Sequence, residues 1–352
     1  MANVEAYLRL IRGETPGVLA ALARTGLGVA AFGYWVGVWI RNRGYDRGSM
    51  EVVRVAAPVV SIGNITLGGT GKTPMVEWVA RWFRERDLRV AILSRGYQSG
   101  SGSGVNDEAM VLEENLPDVP HLQHPDRAAL AETAVDELES QILVLDDGFQ
   151  HRRLARDLDI VLLDALDPFG LGRMFPRGLL REPVKALRRA GIVVISRSDL
   201  VEEDELSAIH VRAERAAGPL RWVHARHRPV ALIGEGIEPA PIQSLEGKTV
   251  AAFCGIGNPE GFQRTLEPLC SSIRDFRRFP DHHAYNARDV EDLIDWARAL
   301  DVDLVLTTQK DLVKLRIASL GPAPLRALRI GLEIVEGLET LESALTELLA
   351  DV

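Results

Sequence analysis

A chain of 352 residues exceeds one simple core and, at about 150 residues per domain, points to two domains. Hydrophobic residues make up 46% and charged residues 26%, which excludes a polytopic membrane protein and a mostly disordered chain. A net charge of −9 argues against a dedicated nucleic-acid binder.

The charge is uneven. Residues 1–50 hold six arginines against Glu5, Glu14 and Asp46, a net of +3, which leaves −12 on the remaining 302 residues. Within this basic segment, Thr25 to Ile40 is an uncharged run of 16 residues containing four glycines. That is short of the ~20 apolar residues of a spanning helix, and its long polar lead-in is unlike a signal peptide. Phe32, Tyr34, Trp35 and Trp39 gather toward its end, ahead of Arg41, Arg43 and Arg47. Aromatic rings beside arginine suit a lipid headgroup layer. The favoured expectation for 1–47 is a helix lying on a membrane surface, over a core helix or a full span.

Next, Val59, Val60 and Ile62 read as a buried strand, followed by Gly68, Gly69, Thr70, Gly71, Lys72 and Thr73. Met75, Val76, Val79, Ala80 and Phe83 then recur at helical spacing. Strand, glycine loop and helix form the context of a phosphate loop, whose inward backbone N–H groups and helix dipole cradle phosphate. Lys72 would reach the β- and γ-phosphates and the Thr73 hydroxyl would ligate Mg²⁺. Thr66 stands where the G-x-x-x-x-G-K-[ST] pattern has its first glycine. Further on, Ile142–Leu145 read as a strand ending in Asp146 and Asp147, carboxylates placed to hold Mg²⁺ directly or through water.

VVSI, RVAILSR, ILVLD, DIVLLD and IVVISR are candidate strands that alternate with helical stretches, so the expected class is α/β. A second alternation begins at TVAAFCGIGNPEGF. The expected layout is a membrane-associating segment over 1–47, a P-loop NTPase-type parallel sheet flanked by helices over 48–221, and a linker over 222–245. A smaller α/β domain follows over 246–335, then a C-terminal helix over 336–352. Gly255 and Gly257 lack the third glycine of a dinucleotide fingerprint, which argues against a second nucleotide site. Cys254 and Cys270 have neither disulfide nor CxxC spacing and are expected to be small buried hydrophobes in a reducing compartment. His121, His124, His210, His224 and His227 show no ligand spacing.

GNITLGGTGKTP (63–74), DDGFQHRRLARDLDIVLLD (146–164) and GLLREP (178–183) together resemble the tetraacyldisaccharide 4′-kinase family. LSRGY (93–97), DE (107–108), GIGNP (255–259), FPDHHAY (279–285) and TTQKDLVKL (307–315) extend the likeness in order. The resemblance implies transfer of phosphate from ATP, with Mg²⁺, to the 4′-hydroxyl of a tetraacylated glucosamine disaccharide 1-phosphate. It also implies docking on the cytoplasmic face of the inner membrane of a Gram-negative bacterium, with a lipid-linked disaccharide and the membrane surface as partners, no nucleic acid, and no obligate protein partner. By the same resemblance Asp107 is the base on the acceptor hydroxyl, with Glu108 its local competitor, and Asp281 and His282 support it. Arg181 faces the transferring phosphoryl group, Glu182 joins the metal region, and Gln150 and His151 lie close by. The family context near the base is close to GDEP, whereas Asn106-Asp107-Glu108-Ala109 stands here after a glycine-serine stretch at 99–104. With Asp107 assigned to the first domain and His282 to the second, closure around the substrate is expected. A regulatory P-loop switch and a soluble small-molecule kinase are the competing functions. The nearest approach to a guanine-reading signature is Thr308-Gln309-Lys310-Asp311, and Lys310 and Lys314 could share a helix face toward nucleotide or solvent.

Overall fold

The computed structural model describes residues 2–96 and 107–351. Tyr97 of the LSRGY run, the glycine-serine stretch at 99–104 and Asn106 lie outside them. The chain divides into two compact units.

The larger unit comprises residues 2–96, 116–227 and 332–351. Its sheet is parallel throughout, running from Trp222 through Ile192–Ser196, Leu158–Asp164, Val59–Asn64, Ile142–Asp146 and Val90–Ser94 to His121–Gln123. Val59–Asn64 is central and buried at every position, as expected for a strand covered on both faces. It pairs Ile62 with Asp146, so the loop after Asn64 and the two aspartates emerge at neighbouring carboxyl ends, where parallel sheets place their ligands. Close packing fixes the two exits together. A Cβ on Gly63 would stand 2.6 Å from Phe149 Cβ and 2.8 Å from its backbone nitrogen.

The N-terminal helix Ala2–Arg12 precedes one of 29 residues, Val18–Asp46, which runs well beyond the uncharged stretch. By length and composition alone the second could cross a membrane. Only Ala20, Ala31 and Val38 of it are buried, while Val18, Leu19, Leu22, Val29, Phe32 and Ile40 are more than half exposed. Its apolar face therefore contributes little to the core, and polar contacts near its end attach it. Asn42 Nδ2 donates to Glu182 Oε2 at 2.7 Å, Arg41 pairs with the other oxygen at 3.5 Å, and Asp46 takes Arg152 at 2.8 Å and Arg188 at 2.9 Å.

The smaller unit holds residues 107–115 and 228–331. Ser272–Arg278, Thr249–Cys254, Leu304–Thr308 and the first half of Ala323–Glu336 form a parallel sheet in that order. Cores built on Phe253, Leu293, Trp296 and Leu325, and on Leu245, Val250, Leu266 and Leu306, cover its faces. This division departs from the expected boundaries. Residues 107–115 group with the smaller unit although the kinase core was expected to own them, and the terminal helix Leu338–Glu347 packs in the larger one. The expected linker is mostly strand, Trp222–Gly234, hairpinned onto Ile237–Ala240.

The alanine that replaces Gly63 has to displace the Phe149 backbone, an overpacking that costs about 1–3 kcal/mol. Urea unfolding of Gly63→Ala should show a loss of that size, and an unchanged midpoint would contradict this packing.

Candidate active site

In the larger unit the glycine-loop turn is held from several sides before the helix Lys72–Arg84 begins. Leu67 N donates to Leu179 O and Arg181 N to Ile65 O, both at 2.7 Å, and Thr66 bridges Leu180. Thr70 is buried, its hydroxyl accepting from Asn64 Nδ2 at 3.1 Å and its carbonyl from Ser196 Oγ at 2.8 Å. Gly68 and Gly69 are exposed with open space where a side chain would stand. Gly71 caps the helix at φ 85°, a left-handed conformation that favours glycine, and a Cβ there would also push against His227 Nε2 at 2.5 Å.

Lys72 Nζ is 3.7 Å from Asp147 Oδ1. Arg181 grips the same carboxylate with both arms, NH1 to Oδ1 at 2.7 Å and NH2 to Oδ2 at 3.1 Å, and also reaches Asn64 Oδ1 at 3.2 Å. Arg127 NH1 donates to the Asp147 carbonyl at 3.1 Å. Burial opposes ionisation of Asp147, but Lys72, Arg181 and Arg127 outweigh it and hold the carboxyl below its usual range. Gln150 Nε2 donates to Asn64 O at 2.9 Å. Burial, with Arg127 and Arg156 beside it, pushes His151 down to about 4, so its ring is neutral at pH 7. The structure thus gathers Lys72, Asp147, Arg181 and Gln150 around the loop and adds Asn64 and Arg127.

Glu182 has a different place from the expected one. It is fully buried, and Arg189 binds both its oxygens at 3.0 and 3.1 Å alongside Asn42 and Arg41. A carboxylate already sharing its lone pairs among three side chains anchors the N-terminal helix rather than serving a metal. Among the described residues no group of three or more His, Cys, Asp or Glu could hold a metal ion. Magnesium bound to phosphate needs fewer protein ligands, and the hard oxygen donors of Thr73 and Asp146 suit it. Asp147 is engaged by Arg181.

In the smaller unit, Asp107 opens the helix Asp107–Asn115 and is buried. Its Oδ2 lies 2.9 Å from His282 Nδ1. His282 sits at φ 56° in the turn after Ser272–Arg278, with its backbone nitrogen bonded to Gly255 O at 3.0 Å. Asp281 is half exposed, 3.9 Å from His282 Nε2, a looser partner. His283 stacks near Phe279 and contacts Asp289 at 3.0 Å, as a packing residue. Burial acts to raise the Asp107 pKa, yet His282 and Lys314 outweigh it and the carboxyl ends below its usual range. The Asp107 hydrogen bond in turn raises His282. Glu108 is lowered despite burial because Lys310 pairs with it.

Asp107 and His282, assigned to separate domains by sequence, therefore meet within one unit. Lys314, left open between nucleotide and solvent, also faces Asp107, at 2.7 Å. Asp311 is fully buried and taken by Thr308, Gly255 and Tyr285, which removes it as a guanine reader. His210 and His224, without ligand spacing in the chain, come together at 3.0 Å between ring nitrogens. Cys254 is buried, its thiol pushed up to about 12 by burial, and Cys270 is half-buried, as expected of small hydrophobes.

The Asp107–His282 pair has a stability signature. Asp107, lowered, contributes above its unfolded pKa and loses that contribution as pH falls through its folded value; His282, raised, contributes below its unfolded pKa and loses it as pH rises through its folded value. The stability difference between wild type and His282→Ala should be largest between these two values and shrink on either side. A difference independent of pH in urea titrations would remove the pair.

The chain matches the family described as Tetraacyldisaccharide-1-P 4′-kinase over residues 23–350. It is 43% identical over 355 residues to a tetraacyldisaccharide 4′-kinase of Anaeromyxobacter sp. (strain K), covering 96% of this chain and 94% of the relative. A tetraacyldisaccharide 4′-kinase of Syntrophus aciditrophicus is 39% identical over 311 residues, covering 80% and 82%. Among solved structures, LpxK from Aquifex aeolicus in complex with ATP superposes with a TM-score of 0.74 at 29% identity, covering 93% of this chain and 99% of that one. The chain belongs to the tetraacyldisaccharide 4′-kinase family and is a kinase.

Proposed function

We propose that this kinase transfers the γ-phosphate of ATP to the 4′-hydroxyl of a tetraacyldisaccharide 1-phosphate, in the synthesis of lipid A, with Asp107 as the base. The observation that carries the site assignment is the buried Asp107 carboxylate bonded to His282 through Oδ2 alone. The Oδ1 atom has no hydrogen-bond partner among the described residues and is the atom proposed to take the hydroxyl proton. The hydroxyl oxygen attacks the γ-phosphorus, its proton passes to Asp107, and the bond to the β-phosphate oxygen breaks to release ADP. His282 holds the carboxylate in orientation and shares the charge change.

The loop from Gly68 to Thr73 binds the triphosphate, with backbone N–H groups and Lys72 meeting its negative charge. Magnesium, when bound, neutralises phosphate charge, and Thr73 and Asp146 are the residues that would hold it. Arg181 and Arg127 supply fixed cations around the same loop, where charge on the transferring group is offset without reorganisation.

The exposed face of Val18–Asp46 supports membrane docking. Phe32, Trp39 and Ile40 are about half exposed or more, beside Arg41 and Arg43. In this reading that face lies in the headgroup layer and brings the enzyme to a lipid-linked acceptor. Because Arg41, Asn42 and Asp46 bind Glu182, Arg152 and Arg188, deletion of the segment disturbs the fold, and substitutions on the exposed face give the cleaner test.

In detergent, γ-labelled ATP and the tetraacyldisaccharide 1-phosphate should yield labelled lipid; folded protein that produces none would refute the function. Asp107→Ala should lower kcat by about 10²–10⁴ with ATP affinity little changed. Lys72→Ala should lose turnover as well, and normal turnover there would contradict the phosphate-loop assignment. Phe32→Glu with Trp39→Glu should abolish co-sedimentation with phosphatidylglycerol vesicles at unchanged Tm; full binding by that variant would place the lipid contact elsewhere.

A further inference from the structure

Lys314 lies in the last turn of the helix Gln309–Leu315, with a tenth of its side chain exposed. Its Nζ stands 2.7 Å from Asp107 Oδ2 and 4.0 Å from Asp311 Oδ1, so Asp107 is its closer ion-pair partner. Lys310, one turn earlier, is more than a third exposed and pairs with Glu108, the kind of surface contact that contributes little. Lys314 is different, because an ammonium taken out of water is costly unless carboxylates compensate it. The two that do are Asp107 and the fully buried Asp311.

The geometry at Asp107 is asymmetric. His282 Nδ1 at 2.9 Å and Lys314 Nζ at 2.7 Å both address Oδ2. They reach it from different elements, a turn and a helix, so together they fix the rotation of the carboxylate. Both closest approaches fall on Oδ2, and Oδ1 accepts no hydrogen bond among the described residues.

We propose that Lys314 is a positioning residue for phosphoryl transfer, holding Asp107 ionised and turned so that Oδ1 meets the acceptor hydroxyl. This rests on the assignment of Asp107 as the base. A neighbouring cation makes Asp107 a weaker base, but the hydroxyl becomes strongly acidic only as its oxygen bonds to phosphorus. An acceptor that is always ionised and always oriented therefore serves better than a stronger one that is partly protonated.

The charged groups around Asp107 define the test. Its own helix supplies Glu108, paired with Lys310; the helix Gln309–Leu315 supplies Lys310, Asp311 and Lys314; the turn supplies Asp281 and His282. Lys314 has the shortest contact to the Asp107 carboxylate.

The experiment uses the full-length protein and two variants, Lys314→Met and Lys314→Arg. The Asp107 carboxyl is titrated by carbon-13 NMR, assigned by its loss in Asp107→Asn, and kcat/KM is measured across pH with saturating ATP. In Lys314→Met the carboxyl titration and the acid limb of kcat/KM should move up together by about 1–3 pH units, the range a nearby cation commands. Lys314→Arg, which keeps the charge and alters the reach, should return the acid limb to its place while kcat stays reduced. An unmoved carboxyl titration or acid limb in Lys314→Met overturns the proposal. If only Lys314→Arg folds, an acid limb displaced in that variant overturns it, and a limb in place with lowered kcat supports it. Full turnover by Asp107→Asn would instead remove the base assignment itself, a result distinct from either Lys314 outcome.

Discussion

The polar cluster of the smaller unit hangs on one buried carboxylate. Asp311 has no exposure, and its oxygens accept from Thr308 Oγ at 2.6 Å, the Gly255 backbone nitrogen at 3.0 Å and the Tyr285 hydroxyl at 3.1 Å. These contacts join the end of a strand, the turn that follows another, and the segment carrying His282. Gly255 then fixes His282 through its carbonyl, and Asp311 shares Lys314 with Asp107. The approach is close there: a Cβ would stand 3.0 Å from Asp311 Oδ1 and 3.1 Å from Pro280 O, so its neighbours would have to give way by a few tenths of an ångström. A charge so completely surrounded costs several kcal/mol to strip of any one partner, so the network holds its members in a single arrangement.

The larger unit solves the same problem with the signs arranged differently. Asp147 lies among Lys72, Arg181 and Arg127, and Glu182 among Arg189, Arg41 and Asn42. Adjacent residues of one short segment, Arg181 and Glu182, thus serve two separate networks. The first organises the glycine loop and the second attaches the N-terminal helix. The family resemblance assigned both to the reacting centre, whereas only Arg181 stands at the loop and Glu182 lies in the anchor.

What could be read in the chain follows the distance over which each interaction acts. The glycine loop and the aspartates after Ile142–Leu145 are contiguous, and their strand-end placement was evident from local pattern. Asp107 and His282, 175 residues apart, were linked only through family resemblance, and sequence placed them in different domains. Lys314 was undecided because its spacing from Lys310 fits an exposed face as well as a split one. Asn64 and Arg127 were missed, since a polar residue ending a strand and an arginine following the helix cap Asp126 are commonplace locally.

The 3.7 Å pairing of Lys72 with Asp147 bears on how any anion reaches the loop. Lys72 is not a bare cation waiting in water, since a carboxylate already serves as its counterion. Under the proposed function an arriving phosphate would exchange one anion for another, Asp147 having Arg181 as a further partner. Such an exchange releases fewer ions to bulk than the meeting of two free charges. Nucleotide affinity should therefore depend less steeply on ionic strength than the number of basic residues around the loop suggests.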